Sequence, residues 1–382
     1  MCGIVAGFTK PDQLVQMLKR IQHRGFASAG IATNRWHWRS TGTVCDLIRE
    51  HADSFVGDHG VAHVRYNTNS DPEGIQPSIR LKSGNCFDAF AFNGQVEDGD
   101  TEHLFDAVQS SDVSKIRGAF SYAYLDSYRC TIRAGRDPFG FHPLYYSPTH
   151  HIVASETCAD LSIPDWKPVA PGTEIDIATG EVLSRRPATP ARCFFEWVYF
   201  LSVQSEFDKV SVYPTRRYLG TLLAQRETVR DADMIIPVPD TGIAAAEAMA
   251  QKMGIPFRMA LYRERYAGRT FIIEGGFTTK YKIIPEAIHG KIILVDDSIV
   301  RGHTLNYLVP RLKRYADEVH VRVTCPPITH PCRYGINITE AGAHQIDSAN
   351  SVKFLQPKDI ESICGGTNTC CTACVTGKYP DN

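Results

Sequence analysis

Apolar and polar positions follow two different patterns along this chain, and the change of pattern divides it. Gly3-Ile4-Val5-Ala6 reads as a short apolar strand. Pro11 and Asp12 then open a helix, with Leu14, Met17, Leu18 and Ile21 at helical spacing and His23-Arg24-Gly25 as its stop. From there to about residue 190 strand signals dominate, at 60–66, 87–92 and 120–125. Residues 174–183 read as a hairpin turning at Thr179-Gly180, and 101–108 as a helix. After the proline-bearing stretch Arg185-Arg186-Pro187-Ala188-Thr189-Pro190, strands alternate with helices. The spacing predicts helices over 215–229 and 243–253, and strands over 234–239, 256–261, 291–295 and 320–323. Such alternation implies a parallel sheet. Leu305, Leu308, Val309 and Leu312 place a further helix on it, with Pro310 inside at the expected cost of a hydrogen bond or a kink. The pattern thus implies a strand-rich α+β domain over 2–190 and an α/β domain over 191–382.

Composition narrows the class. A chain of 382 residues fits two domains, and 43% hydrophobic with 22% charged residues is ordinary for a globular protein. A formal net charge of -1 argues against a general nucleic-acid or membrane surface. No apolar run is long enough for a bilayer and no signal peptide is visible, so a cytoplasmic location is expected. The twelve cysteines do not form a compact secreted frame, which favours metal or catalytic use over disulfides.

Three stretches carry candidate chemistry. In the first, Ile292-Ile293-Leu294-Val295 runs into Asp296-Asp297 and then Ser298-Ile299-Val300-Arg301-Gly302-His303-Thr304. A buried parallel strand that feeds a loop at its carboxyl end is where ligands bind in open α/β sheets. The two carboxylates suit ribose hydroxyls or Mg²⁺, and the loop with the next helix N-terminus suits a phosphate. The second is Cys2, which becomes the terminal residue if Met1 is removed. Its α-amine, with a pKa of about 7.7–8.0, can then serve as base for its own thiol at about 8.5. The third is the C-x-x-C pair Cys371 and Cys374 near the chain end. Thiolate sets of this kind hold zinc or an iron–sulfur cluster. Cys364 and Cys370 are near enough to compete as ligands, whereas Cys45, Cys86, Cys130, Cys158 and Cys325 read as structural.

The order of short motifs adds a resemblance. Cys2-Gly3-Ile4-Val5, His23-Arg24-Gly25, His63-Val64-Arg65-Tyr66, Phe92-Asn93-Gly94, Asp100-Thr101-Glu102, Arg136-Asp137-Pro138, Ser155-Glu156 and Pro171-Gly172 together resemble the class II glutamine amidotransferase domain, an N-terminal-nucleophile fold. The Asp296–Thr304 stretch resembles the loop of type I phosphoribosyltransferases. With Phe195-Glu196-Trp197, Pro237-Val238-Pro239-Asp240-Thr241 and Arg265-Tyr266-Ala267-Gly268-Arg269 added, nearly the whole chain is similar to the amidophosphoribosyltransferases, of the iron–sulfur type.

The resemblance implies a reaction and a set of roles. Cys2 would attack the glutamine amide, with Asn93 and Gly94 as oxyanion donors. Arg65 would hold the glutamine carboxylate and Asp100 its amine. Ammonia would pass internally to phosphoribosyl pyrophosphate and give 5-phosphoribosylamine. Asp240 and Thr241 would meet the pyrophosphate, and Arg265, Tyr266 and Arg269 would open a flap. Asp296 and Asp297 would hold ribose and Mg²⁺, while Ser298, Ile299, Val300, Arg301, Gly302 and Thr304 would bind the 5-phosphate. Cys193, Cys332, Cys371 and Cys374 would carry a 4Fe–4S cluster, with zinc as the alternative. A homo-oligomer is also implied.

Departures from the family pattern are specific. Phe139-Gly140-Phe141-His142-Pro143 stands where Asn-Gly-Ile-Arg-Pro is usual. Gly242 replaces a hydroxyl residue, His303 replaces a threonine, and the flap carries fewer basic residues. Another phosphosugar acceptor, or a regulatory protein that binds a sugar phosphate without turnover, are the competing readings. A hexose-phosphate amidotransferase would lack the Asp-Asp-Ser loop.

Overall fold

The structure, a computed structural model, describes residues 1–66, 74–84, 86–96, 101–263, 281–339, 342, 345–364 and 369–381. Two antiparallel sheets stack in the first half. One runs, in spatial order, Lys167–Pro168, Tyr145–Ser147, Ile152–Ala154, Gly3–Gly7, Gly60–Arg65, Ser28–Thr33 and His37–Thr41. The other runs Val182–Arg185, Thr173–Asp176, Thr131–Arg136, Gly118–Asp126, Phe87–Val96 and Ser78–Leu81.

Alternation along the strands explains the stacking, because successive side chains point to opposite faces. Ile4 and Ala6 pack with Ala89, Ala91, Ala123 and Leu125 of the second sheet. Val5, between them, faces Leu14 and Leu18 of the helix Pro11–Arg20 and Leu47 of the helix Val44–His51. On the far side, Phe90, Tyr122 and Tyr124 cover Leu104 and Phe105 of the helix Thr101–Gln109. The result is a helix–sheet–sheet–helix stack. The Val44–His51 helix was not visible in the apolar pattern, yet Thr43 and Asp46 form its capping box.

The second half holds a four-stranded parallel sheet in the order Met234–Pro237, Lys291–Asp296, Glu318–Val323, Ser351–Phe354. Ile235, Ile236, Ile292, Ile293, Leu294 and Val295 are all fully buried, as expected of strands covered on both faces. Two expected elements shift. The 256–261 strand does not form. Phe257 makes one isolated bridge to Ile235, and the chain then leaves the sheet to pair Leu261–Arg263 with Tyr281–Ile283. The helix expected at 215–229 spans Val212–Arg226. Pro214 is tolerated because it lies in the first turn, where N–H groups lack intrahelical partners. The helix stops where Glu227 turns extended and pairs with buried Arg322. The helix His303–Leu312 runs through Pro310 and ends two residues later.

No described helix is long and apolar enough to cross a membrane. A π-helical turn, Glu196–Phe200, joins the two halves: Glu196 pairs with Arg24 of the first, and Trp197 and Phe200 enter the core of the second.

Candidate active site

The first centre forms where the two stacked sheets meet at Cys2. The Cys2 N–H donates to Asn93 Oδ1 at 2.9 Å, and the Tyr66 N–H points at Cys2 Sγ at 3.4 Å. The Cys2 carbonyl accepts from Arg24 Nε at 2.8 Å. Three groups therefore fix the cysteine backbone and sulfur. Among the described residues Asn93 Nδ2 is buried without a hydrogen-bond partner, which is costly unless a ligand oxygen completes it. Asn93 and Gly94 do not form a turn; they lie inside the strand Phe87–Val96. Gly94 has φ +137°, and a Cβ there would stand 1.9 Å from the Ala119 carbonyl oxygen, so only glycine fits. Beneath them, burial pushes the His63 imidazole down to about 3, and Nε2 donates to the Phe92 carbonyl.

Arg65 ends the strand Gly60–Arg65, and its guanidinium lies against Gly74. Asp100 lies outside the described residues. Met1 precedes Cys2 and is buried; loss of water pushes its amine down to about 4.

A buried ion network underlies this centre and was not legible as a unit in the sequence. Arg24 Nη1 is 2.8 Å from Glu156 Oε1, and Nη2 is 2.8 Å from Glu196 Oε1. All three side chains are fully buried. Burial opposes the Arg24 charge, but Glu196 and Glu156 outweigh it and raise the pKa. Burial likewise pushes Glu156 up, and His23 and Arg24 more than reverse it. Ser202 N–H and Ser205 Oγ complete Glu156 at 2.9 and 2.7 Å. The fragments His23-Arg24-Gly25, Ser155-Glu156 and Phe195-Glu196 held these residues, but their mutual contact is a property of the fold.

The second centre lies at the carboxyl end of the parallel sheet. Asp296 and Asp297 are 5% and 6% exposed. Asp297 accepts hydrogen bonds from Thr241 Oγ1 and, at 2.6 Å, from Ser298 Oγ. Thus the loop after the first strand and the loop after the second converge on one carboxylate. Burial raises the Asp297 pKa, so a bound cation would relieve a carboxylate that the site leaves poorly solvated. Asp240 lies nearby, exposed, with Arg263 at 3.6 Å. Gly302, with φ +70°, caps the helix that begins at His303, and this places Ser298–Thr304 at a helix N-terminus. Gly242 has a packing reason. A Cβ there would meet the carbonyl oxygens of Val295 and Val238 at 2.7 and 2.8 Å. The backbone thus leaves no space for a hydroxyl side chain. Arg265, Tyr266 and Arg269 lie outside the described residues.

The two centres are contiguous. Tyr66 lies within electrostatic reach of both Cys2 and Arg301, and its ring meets Phe200 edge-on at 5.8 Å. Burial, then the Asp297 charge, pushes Tyr199 up to about 12. Arg216 spans the same region. It donates to the carbonyls of Trp197, Tyr199 and Leu201 at 2.8, 3.1 and 2.7 Å. Burial lowers it to about 10, partly offset by Asp297 on one side and Glu156 on the other.

Cys193, Cys332, Cys371 and Cys374 come together. With Phe141, Tyr334, Ile336 and Ala373 they line one small cavity. Parallel pairing of Arg192–Cys193 with Cys370–Cys371 brings two of them side by side. Burial pushes all four thiols up, Cys371 to about 12. Cys364 and Cys370, expected to compete as ligands, are instead joined in a disulfide with Cα atoms 5.7 Å apart. Their spacing and strand placement let them satisfy each other. Of the cysteines read as structural, Cys158 and Cys325 are buried, whereas Cys45 and Cys130 are exposed.

These features define a glutamine amidotransferase centre joined to a phosphoribosyltransferase centre in one chain. Family comparison agrees: a glutamine amidotransferase domain matches residues 90–160, and a phosphoribosyl transferase domain matches 219–335. The amidophosphoribosyltransferase of Methanocaldococcus jannaschii is 32% identical, over 100% of this chain and 98% of its own length. That alignment runs over 465 positions, so the relative carries insertions that this chain lacks. The Bacillus subtilis amidophosphoribosyltransferase is 31% identical over 99% of this chain and 94% of its own. A solved structure of glutamine phosphoribosylpyrophosphate amidotransferase from B. subtilis, complexed with ADP and GMP, matches with a TM-score of 0.88 at 28% identity. It covers 100% of this chain and 97% of that one. The chain belongs to the amidophosphoribosyltransferase family, and is an enzyme that uses glutamine to aminate phosphoribosyl pyrophosphate.

Proposed function

We propose that ammonia released from glutamine at Cys2 moves past Tyr66 to the Asp296–Asp297 loop and there displaces pyrophosphate, giving 5-phosphoribosylamine for purine synthesis. The observation that carries this is the position of Tyr66, whose N–H meets the Cys2 sulfur at 3.4 Å while its ring packs edge-on against Phe200 of the π-helical turn.

Removal of Met1 frees the Cys2 amine, which Asn93 Oδ1 is placed to orient. That amine takes the thiol proton as Sγ attacks the glutamine amide carbon. Asn93 Nδ2 and the Gly94 N–H receive the developing oxyanion. The C–N bond breaks, the proton returns to the leaving nitrogen as ammonia, and water cleaves the thioester to glutamate. Arg65 holds the substrate carboxylate and Asp100 its amine. In the second centre ammonia attacks C1 of the ribose, and the bonding pair leaves with pyrophosphate. Asp240 and Thr241 face the pyrophosphate, with Arg265, Tyr266 and Arg269 closing over it. Asp296 and Asp297 hold the ribose hydroxyls and Mg²⁺, which when bound neutralises charge on the leaving group. The Ser298–Thr304 loop takes the 5-phosphate. Enclosure matters because ammonia exposed to water is protonated and lost.

The cysteine cavity suits a 4Fe–4S cluster. Four thiols whose burial opposes ionisation need a strongly cationic partner. A zinc ion held by the same four sulfurs is the alternative. Cys193, Cys332, Cys371 and Cys374 would hold the cluster, which would staple the tail to the linker. Protein purified anaerobically should contain about four iron atoms per chain and lose them in Cys371→Ser. Colourless protein carrying zinc would count against the cluster.

The acceptor is tested by incubating the protein with glutamine, Mg²⁺ and a panel of phosphosugars. Consumption of phosphoribosyl pyrophosphate alone is expected. Turnover of another phosphosugar instead would favour the second reading, which Gly242 and His303 motivate.

A further inference from the structure

The loop after Cys332 touches the glutaminase centre directly and is anchored beside it. Gly335, with φ +97°, lies backbone to backbone on Gly94: a Cβ there would stand 3.1 Å from the Gly94 carbonyl carbon and 3.3 Å from its Cα. Gly94 is thereby held from both sides, by the Ala119 carbonyl in its own sheet and by Gly335 from the other half of the chain. The same loop is anchored by His142, whose Nε2 donates to the Tyr334 carbonyl at 3.1 Å, while its buried Nδ1 makes no hydrogen bond among the described residues. Phe141 fixes the same loop by stacking on the Tyr334 ring, with centroids 4.1 Å apart.

We propose that the Cys332–Gly335 loop is a positioning element for glutamine hydrolysis. Gly335 sets the Gly94 N–H against the oxyanion, and His142 holds the Tyr334 carbonyl that keeps Gly335 in place. Gly335, Tyr334 and His142 touch neither substrate. The inference rests on the reading of Gly94 as an oxyanion donor, and it holds whatever group the cysteine cavity carries.

The variants Gly335→Ala, His142→Ala, His142→Gln and Asn93→Ala, made in the anaerobically purified full-length protein, test it. Single oxyanion donors are worth about 10²–10³ in kcat, so partial displacement of one should cost roughly tenfold or more. Gly335→Ala and His142→Ala should lower the glutamine-dependent kcat by that amount with little change in glutamine KM. Synthesis from added ammonium salt should stay within about twofold, and Cys2 should still react normally with iodoacetamide, because the thiol itself is untouched. His142→Gln, which retains an N–H donor, should recover part of the loss. Glutamine turnover within about twofold of wild type in Gly335→Ala and His142→Ala would overturn the proposal. So would an equal loss of ammonia-dependent synthesis, which would mark a general folding defect. A harmless Asn93→Ala, which removes the Nδ2 donor, would instead overturn the oxyanion reading itself.

Discussion

Cys2→Ala should lose glutamine-dependent product formation by on the order of 10⁴-fold or more, while ammonium salt continues to support synthesis at the wild-type rate. The structure explains why the two activities part. Cys2 is held by Asn93, Tyr66 and Arg24 in the stacked sheets of the first half. The Asp296–Asp297 loop belongs to a separate parallel sheet with its own core. The lost thiol leaves both frameworks in place, since Cys2 contributes one sulfur contact to a backbone that hydrogen bonds already fix. The measurement is glutamate release and pyrophosphate release, followed separately with each nitrogen source. Loss of ammonia-dependent synthesis would show that Cys2 serves the second centre or the fold.

The opposite separation is expected at Asp297. Asp297→Asn should cost roughly 10²–10³ in synthesis from either nitrogen source and leave basal glutamine hydrolysis intact. Thr241 and Ser298 both donate to this carboxylate, so its oxygens are aimed by two loops at one place. An amide keeps the shape but loses the charge that would hold the proposed Mg²⁺. The resting protein should not suffer. Burial penalises the Asp297 charge by more than Arg216 and the hydrogen bonds from Ser298 and Thr241 relieve it, so removing that charge should cost the fold little. A thermal midpoint close to wild type, together with lost synthesis, is therefore the signature. A lowered midpoint with synthesis retained would make Asp297 a structural residue.

The apolar pattern carried much of this protein. The strand into Asp296 was readable because a strand buried on both faces must be continuously apolar, and the 243–253 helix was readable from its spacing. Other features depend on contacts between residues far apart in sequence. Asn93-Gly94 looks like turn chemistry, yet sheet pairing on Phe120 and Ser121 holds it extended. Gly242 registers in sequence as a missing hydroxyl, and only the approach of the Val295 and Val238 carbonyls gives the reason. Phe141 and His142 stand out as departures, but their partner Tyr334 lies almost two hundred residues away. The Arg24–Glu156–Glu196 network likewise joins fragments that have no local signal for one another. Cys364 and Cys370 show the converse error, since close spacing suggested shared ligation and the fold paired them.

The central claim is that one chain makes ammonia at Cys2 and spends it at Asp297 without releasing it. The most direct measurement supplies amide-¹⁵N glutamine, phosphoribosyl pyrophosphate and Mg²⁺ in the presence of unlabelled ammonium, and reads the isotope in the phosphoribosylamine. Product carrying mostly ¹⁵N, with glutamate and pyrophosphate formed in equal amounts, is the expected result. Glutamate formed without consumption of phosphoribosyl pyrophosphate, or product carrying the isotope ratio of the bulk ammonium, would contradict it.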